Sequence, residues 1–232
     1  MLHAEHITKR YPRSDAALAR PAVDDCSLTV GAGEFVSILG RSGSGKSTFL
    51  HILASLVLPD SGRVLFNGQD ICAFPDKERN RLRGKEFAVI FQQHHLMPYL
   101  SALENVLLPF MNRLRPVTAK ERRLAADMLE RVGLAGKEAS RPGNLSGGEQ
   151  QRVAIARALA RGARILYADE PTGSLDFATG GAIMELLHNL NREGMTIIMV
   201  THNPEYARQT HRAVNMADGC IVEQGPGMAD MM

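Results

Sequence analysis

The chain has 232 residues, 44% of them hydrophobic, enough for one α/β domain or two small ones with a real core. A formal net charge of +2 argues against a nucleic-acid partner, and three scattered cysteines, Cys26, Cys72 and Cys220, give no paired spacing for zinc or a redox motif and fit a reducing cytosol. The first residues lack the apolar core of a signal peptide, and no apolar run approaches the roughly 18 residues of a membrane span, so any membrane role is expected to need a partner.

In chain order, residues up to Tyr11 and residues 22–30 read as short strands separated by a polar, proline-flanked loop over residues 12–21. The apolar run at residues 35–39 reads as a buried strand, and Leu50, Leu53, Ala54 and Val57 recur at helical spacing after it. Between them, residues 40–48 read GRSGSGKST, a phosphate-loop pattern with Gly40, Gly45, Lys46 and Ser47 at its fixed positions. At this strand-to-helix turn the backbone N–H groups of Ser42, Gly43, Ser44, Gly45 and Lys46 can converge on a polyphosphate, helped by the positive end of the helix. Lys46 adds a point charge for the terminal phosphates, the Ser47 hydroxyl is placed to ligate Mg²⁺, and Thr48 completes the binding word.

A turn at residues 59–62 leads into a short strand over residues 63–66 and a second turn at Asn67-Gly68. The basic run Lys77, Arg79, Arg81, Arg83 and Lys85 is broken by Glu78 and Glu86 and reads as a solvated helix face or loop. Residues 87–91 form another apolar run. Two capping boxes then open helices. Thr118 with Glu121 starts one that carries Leu124, Met128 and Val132 along one face and stops at Gly133; Ser146 with Glu149 starts one that carries Val153, Ile155 and Leu159 and stops near Gly162. Strand pattern returns at residues 164–168, followed by a helix with Ile183, Leu186, Leu187 and Leu190 and an apolar strand over residues 196–200. The alternation predicts a parallel sheet with right-handed crossovers, closed by a hairpin around Asp218-Gly219 and a tail over residues 225–232.

Ligands of a parallel sheet sit beyond the carboxyl ends of its strands. Polar residues follow three of the apolar runs: Gln92, then Asp169 and Glu170, then Thr201 and His202. Asp169 is suited to hold Mg²⁺ beside the phosphates, and Gln92 can offer its amide oxygen to the metal or to the attacking water. Glu170 is placed to orient and deprotonate that water, with His202 positioning both the carboxylate and the terminal phosphate. Ser146 caps a helix whose first turn is Gly147-Gly148, so a hydroxyl and bare N–H groups face an anion. The pair His94-His95 points apart on an extended segment and suits no metal.

Residues 145–151, LSGGEQQ, and 168–176, ADEPTGSLD, together with the phosphate loop, Gln92 and His202 in that order, closely resemble the ATP-binding cassette (ABC) family of transporter ATPases. The resemblance spans essentially the whole chain. It implies an α/β fold of the P-loop NTPase type, an ABC nucleotide-binding domain with a mostly parallel sheet core, N-terminal antiparallel strands and a helical insert. One domain is expected, with residues 1–92 and 160–232 as the nucleotide-binding core and residues 93–159 as the helical subdomain. The resemblance further implies ATP and Mg²⁺ as ligands. It implies a second copy paired head to tail, so that Ser146, Gly147 and Gly148 reach the terminal phosphate held by the other phosphate loop and residues 174–176, with Asp176, touch across the seam. Tyr11 falls where the family stacks an aromatic on adenine, although the loop after it lacks the usual glycine.

The longer words LSGGEQQRVAIARAL (residues 145–159), DEPTGSLD (169–176) and FQQHHLMPYLSALENVLLP (91–109) resemble the lipoprotein-releasing, macrolide-exporting and cell-division subgroup. The expected protein is a cytoplasmic ATP-hydrolysing subunit, peripheral on the inner face of the cell membrane through an integral membrane permease that docks near residues 94–100. That segment could equally form the core of the insert. Export, lipoprotein release and a mechanical signal of the cell-division kind stay open on sequence. The absence of sustained heptads between Gln92 and Leu145 disfavours a chromosome-organising ATPase, and the absence of an Asn-Lys-x-Asp word disfavours a GTPase.

Overall fold

The computed structural model describes residues 1–12, 20–111 and 115–226; most of the loop expected over residues 12–21 and of the tail expected over residues 225–232 lies outside them. The N-terminal half runs β1 (Leu2–Lys9), β2 (Val23–Val30), β3 (Phe35–Leu39), α1 (Lys46–Leu53), β4 (Ser61–Phe66), β5 (Gln69–Asp70), α2 (Asp76–Lys85) and β6 (Phe87–Ile90). Three helices follow, α3 (Ala102–Leu107), α4 (Ala119–Arg131) and α5 (Gly147–Leu159). The chain then returns through β7 (Ile165–Asp169), α6 (Phe177–Arg192), β8 (Thr196–Thr201), α7 (Pro204–Arg208), β9 (Arg212–Ala217) and β10 (Cys220–Pro226).

β1 and β2 alternate buried and open positions, as antiparallel strands with one face on a core do. They join β4 and β5 in an antiparallel sheet of order β2-β1-β4-β5. The strands β3, β7 and β8 are mostly apolar and buried except at Leu39, the mark of a parallel sheet covered on both faces. They form the centre of a second sheet of order β10-β9-β3-β8-β7-β6, parallel from β9 to β6. Successive residues of its strands feed opposite cores. Phe35, Ala88, Leu166, Ala168, Ile197 and Met199 pack with α3 to α6 on one side. Val36, Phe87, Ile165, Tyr167, Ile198 and Val200 pack with α1 and the antiparallel sheet on the other.

The expected hairpin is present, with Asp218 and Gly219 both at positive φ between β9 and β10. β10 extends through Pro226, so the tail begins later than the sequence suggested. β1 ends at Lys9 rather than Tyr11. Asp60 is the reason, since one carboxylate oxygen takes Lys9 Nζ at 2.7 Å and the other takes the Arg10 N–H at 2.6 Å, turning the chain away from the sheet. The basic run is the helix α2, with no buried residue.

Both expected capping boxes form, and a third, Ser101 with Glu104, opens α3, which the sequence reading did not pick out although the word is the same. The buried face of α4 also differs from the expected one. Ala125 and Leu129 are its buried residues, followed by Val132 at the cap, whereas Leu124 is 36% exposed. Of the expected face, Val132 is buried and Met128 packs on the helical core, so only Leu124 falls outside the contact with α3 and α5. We therefore expect Leu129→Ala to destabilise the chain by about 3 kcal/mol and Leu124→Ala by less than about 0.5 kcal/mol in urea unfolding. Equal losses would contradict this packing.

Candidate functional site

The parallel register brings the ends of β3, β6, β7 and β8 to one edge of the sheet, and the polar residues that follow them meet there. A cleft of about 1060 Å³ opens at this edge. Gly40, Ser42, Gly43 and Ser44 of the phosphate loop line one wall, and Gln92, Glu170 and His202 line another. The carboxyl end of β9 adds Asn215 and Ala217 to the rim, residues that carried no motif in the sequence, and the hairpin turn adds Asp218.

Gly45 caps α1 in a left-handed conformation with no side chain capping the first turn, and that turn carries no acidic residue. By contrast α3, α4 and α5 each close theirs with a Ser or Thr and a Glu. The amino end of α1 is thus open toward an anion. Within the loop, Ser44 Oγ is buried without a hydrogen-bond partner among the described residues, while the Ser44 N–H is turned onto Arg41 O at 3.2 Å. Lys46 is buried, and its Nζ donates to Arg41 O at 2.8 Å. Burial pushes its ammonium below the ordinary lysine range, opposed by the nearby carboxylates of Glu170 and Asp169. The buried ammonium suits an anionic ligand, and the two carboxylates beside it suit a cation that accompanies such a ligand. Thr48 follows half-buried on α1.

Ser47 Oγ donates to Asp169 Oδ1 at 2.8 Å. These are hard oxygen donors, with the exposed Gln92 amide on the neighbouring strand end, and such a set fits Mg²⁺. Glu170 takes a positive φ of 47°, uncommon for a residue with a side chain. Its N–H donates to Val200 O at 3.0 Å and its carbonyl accepts from the Gly173 N–H at 3.1 Å, so the strained backbone is held on both sides. The carboxylate Oε2 lies 3.1 Å from His202 Nδ1. Gly173 was not foreseen as part of the site. A Cβ there would stand 2.9 Å from Glu170 Oε2 and 3.3 Å from Gln92 Nε2, so the bare glycine makes room for both side chains.

The remaining sequence-derived residues lie apart from this cleft. Ser146 Oγ accepts from the Glu149 N–H at 3.3 Å, which leaves the hydroxyl proton available, and the Glu149 carboxylate accepts from the Ser146 N–H at 2.8 Å. Gly147 is exposed, whereas Gly148 is buried where a Cβ would collide with Thr179 of α6, a packing reason that the anion argument did not contain. Asp176 caps α6, accepting from Thr179 N at 3.0 Å and Thr179 Oγ1 at 2.6 Å, bonds that hold its carboxyl below the usual range. Tyr11 lies beyond β1, 46% exposed, with Lys9 Nζ 5.8 Å from its ring centroid, and is not among the residues lining the cleft. Of the segment near His94, Met97 is 49% and Tyr99 85% exposed, while Leu96 packs on the helical core.

A family profile described as ABC transporter matches residues 23–173. The chain belongs to that family. It is an ATPase of the ABC type. It is 43% identical over 222 residues to the macrolide export ATP-binding/permease protein MacB 1/2 of Paracoccus denitrificans, an alignment covering 96% of this chain and 33% of that protein. The chain thus spans about a third of the length of the MacB relatives it matches. It is also 45% identical to the uncharacterized ABC transporter ATP-binding protein MJ1508 of Methanocaldococcus jannaschii, covering 96% of this chain and 98% of that one. Among solved structures, the dimeric bacterial ABC transporter cassette MJ0796 superposes with a TM-score of 0.88 at 40% identity, covering 97% and 98% of the two chains. The same cassette in a post-hydrolysis dimer bound to ADP and Pi gives 0.87. Among the described residues of this ABC ATPase, no helix is long and apolar enough to cross a membrane.

Lys46→Ala should lower affinity for a fluorescent ATP analogue by on the order of 10- to 100-fold, the value of one charge-assisted bond. Unchanged affinity in an equilibrium titration would remove Lys46 from the phosphate site.

Proposed function

We propose that this chain is the ATP-hydrolysing subunit of a membrane transporter complex, that two copies close head to tail around two ATP, and that closure drives a permease engaged in export or lipoprotein release. The observation that carries this reading is the match of nearly the whole chain to a third of a protein named as both ATP-binding and permease. In that relative one polypeptide joins an ATP-binding unit to a permease. The domain division follows the same reading, with residues 1–92 and 160–232 as the nucleotide-binding core and residues 93–159 as the helical subdomain.

The phosphates of ATP are assigned to the open end of α1, with Ser42, Gly43, Ser44, Gly45, Lys46, Ser47 and Thr48 around them. Mg²⁺ bound by Ser47, Asp169 and Gln92 would offset charge on the phosphate oxygens. Glu170 accepts the proton of the attacking water. His202, 3.1 Å from Oε2, keeps the carboxylate aimed and faces the phosphate from the same rim. The strained backbone of Glu170 and the gap at Gly173 fix where that carboxylate stands. Across the seam, Ser146, Gly147 and Gly148 present the free hydroxyl proton and the amino end of α5 to the other copy's ATP, with Asp176 nearby. A dimeric relative at 40% identity supports the pairing of two copies. Tyr11, beyond the sheet with an exposed ring, is assigned to adenine.

The permease is assigned to the surface around residues 94–100, supported by the exposure of Met97 and Tyr99 beside an anchored Leu96. The site of action is the inner face of the cell membrane.

Glu170→Gln should bind ATP as the parent does, lower turnover by on the order of 100-fold or more, and accumulate as an ATP-dependent dimer by size-exclusion chromatography. Turnover at the parental rate would sink the general-base assignment. Ser146→Arg should abolish that dimer while leaving ATP binding to the monomer intact, and a dimer that survives it would refute the head-to-tail arrangement. Purification of tagged Glu170→Gln protein from detergent-solubilised membranes with ATP and Mg²⁺ tests the partner. A co-purifying permease with few spans and a large outer domain is expected, and soluble partners alone would overturn the transport reading.

A further inference from the structure

Asp169 is approached by two side chains of a single helix. Ser47 and His51 stand one turn apart on α1, so both leave the same face of the helix and both meet the carboxylate at the end of β7. Ser47 Oγ donates to Asp169 Oδ1 at 2.8 Å, and His51 Nε2 stands 3.3 Å from Asp169 Oδ2. The His51 and Asp169 side chains are only 26% and 12% exposed. The imidazole lies tilted against Phe91 with ring centroids 5.9 Å apart, and Phe91 is set edge-on against His95 at 5.1 Å. Nε2 itself is buried; it lies within ion-pairing range of Asp169 but off the line of a hydrogen bond, and it has no other hydrogen-bond partner among the described residues.

A buried polar nitrogen without a partner is a standing cost to the fold. The phosphate-loop pattern ends before position 51, so nothing in the loop asks for a histidine there. At 3.3 Å Oδ2 is within reach of Nε2, while Oδ1 is taken by Ser47. The geometry points to His51 as a positioning residue for Asp169: its Nε2–H holds Oδ2 and thereby fixes Oδ1 beside Ser47 for a divalent cation. This rests on the reading of Ser47 and Asp169 as the cation's ligands. Groups that hydrogen-bond a metal's ligands set its affinity, and their loss typically lowers that affinity by on the order of 10- to 100-fold.

Two substitutions separate the N–H from the ring. His51→Phe keeps an aromatic ring against Phe91 and removes the donor. His51→Gln places an amide N–H near the position of Nε2 and removes the ring. Binding of a fluorescent ATP analogue to the full chain is measured in EDTA and then across a Mg²⁺ titration, with the Mg²⁺ dependence of ATP hydrolysis as a second readout. Affinity in EDTA is expected to agree within about twofold across parent and variants, which also reports that they fold. The Mg²⁺ concentration for half-maximal binding rises on the order of tenfold in H51F and stays within about threefold of the parent in H51Q. Equal Mg²⁺ dependence in parent and H51F overturns the assignment. So does an equal shift in both variants, which would make ring packing, not the N–H, the cause. If H51F fails to fold, His51→Leu replaces it, with the same expectation against H51Q. A parent that binds the analogue with no Mg²⁺ dependence overturns the cation reading and this inference together, whereas a parent that binds no nucleotide overturns the ATPase site itself.

Discussion

Burial of a parallel sheet on both faces is the constraint on which the rest of the molecule depends. Because β3, β8, β7 and β6 run the same way in register, their carboxyl ends fall at one edge. Because Ile165, Leu166, Tyr167 and Ala168 alternate between two apolar cores, the strands cannot slip by one residue without turning each side chain to the wrong core. Asp169 and Glu170 are therefore located by the packing of the residues before them. The Tyr167 hydroxyl donates to Leu53 O at 3.0 Å, which ties the strand to the carboxyl end of the phosphate-loop helix from within the core. The helix that would hold the phosphates and the strand that carries the acids are thus fixed to each other at two points, Tyr167 to Leu53 and Asp169 to Ser47.

Charge is managed at this edge by mutual opposition. Lys46 sits buried near Glu170 and Asp169, and the desolvation that disfavours its charge is offset by theirs. The ammonium folds onto the carbonyl of Arg41 from its own loop, an internal partner that a phosphate oxygen, as a charged acceptor, can outcompete. The unpartnered Ser44 hydroxyl in the same loop points the same way. What the loop lacks in internal satisfaction is what a polyphosphate brings.

Much of this was legible in the sequence because the motifs are local. A glycine-rich turn between an apolar run and a helical pattern, or acidic residues directly after a buried strand, can be read within ten or so positions, and the structure brings Gln92, Glu170 and His202 to the rim of the phosphate-loop cleft. What escaped was set by distance in the chain. The room at Gly173 is visible only once Gln92 and Glu170 are seen on either side of it, and the need for a glycine at 148 depends on Thr179, 31 positions away. The end of β1 was misjudged because Asp60, far along the chain, captures Lys9 and Arg10. On α4 only Leu124 was misplaced, because stripes through Leu124 and through Ala125 both lead to Val132 and only contact with α3 and α5 decides between them.

The segment near His94 shows how an exposed surface can be held by a buried network. Gln151 is fully buried, and both ends of its amide are satisfied: Oε1 accepts from His94 Nδ1 at 2.6 Å and Nε2 donates to Pro171 O at 2.8 Å. That pairing requires the His94 proton on Nδ1, and burial, opposed by this hydrogen bond, holds the ring below the ordinary histidine range. Arg157 fixes the same stretch through its backbone, donating to His94 O at 2.8 Å and His95 O at 2.7 Å. Pro171 directly follows Glu170. A rigid, fully satisfied amide therefore stands between the segment assigned to the permease and the peptide next to the assigned general base, and substitution of Gln151 by an apolar residue would leave His94 and the Pro171 carbonyl unpaired together. In such an arrangement the exposed residues Met97 and Tyr99 can make contact outward without slack behind them, because the turn that precedes them is anchored to the helix that Ser146 caps.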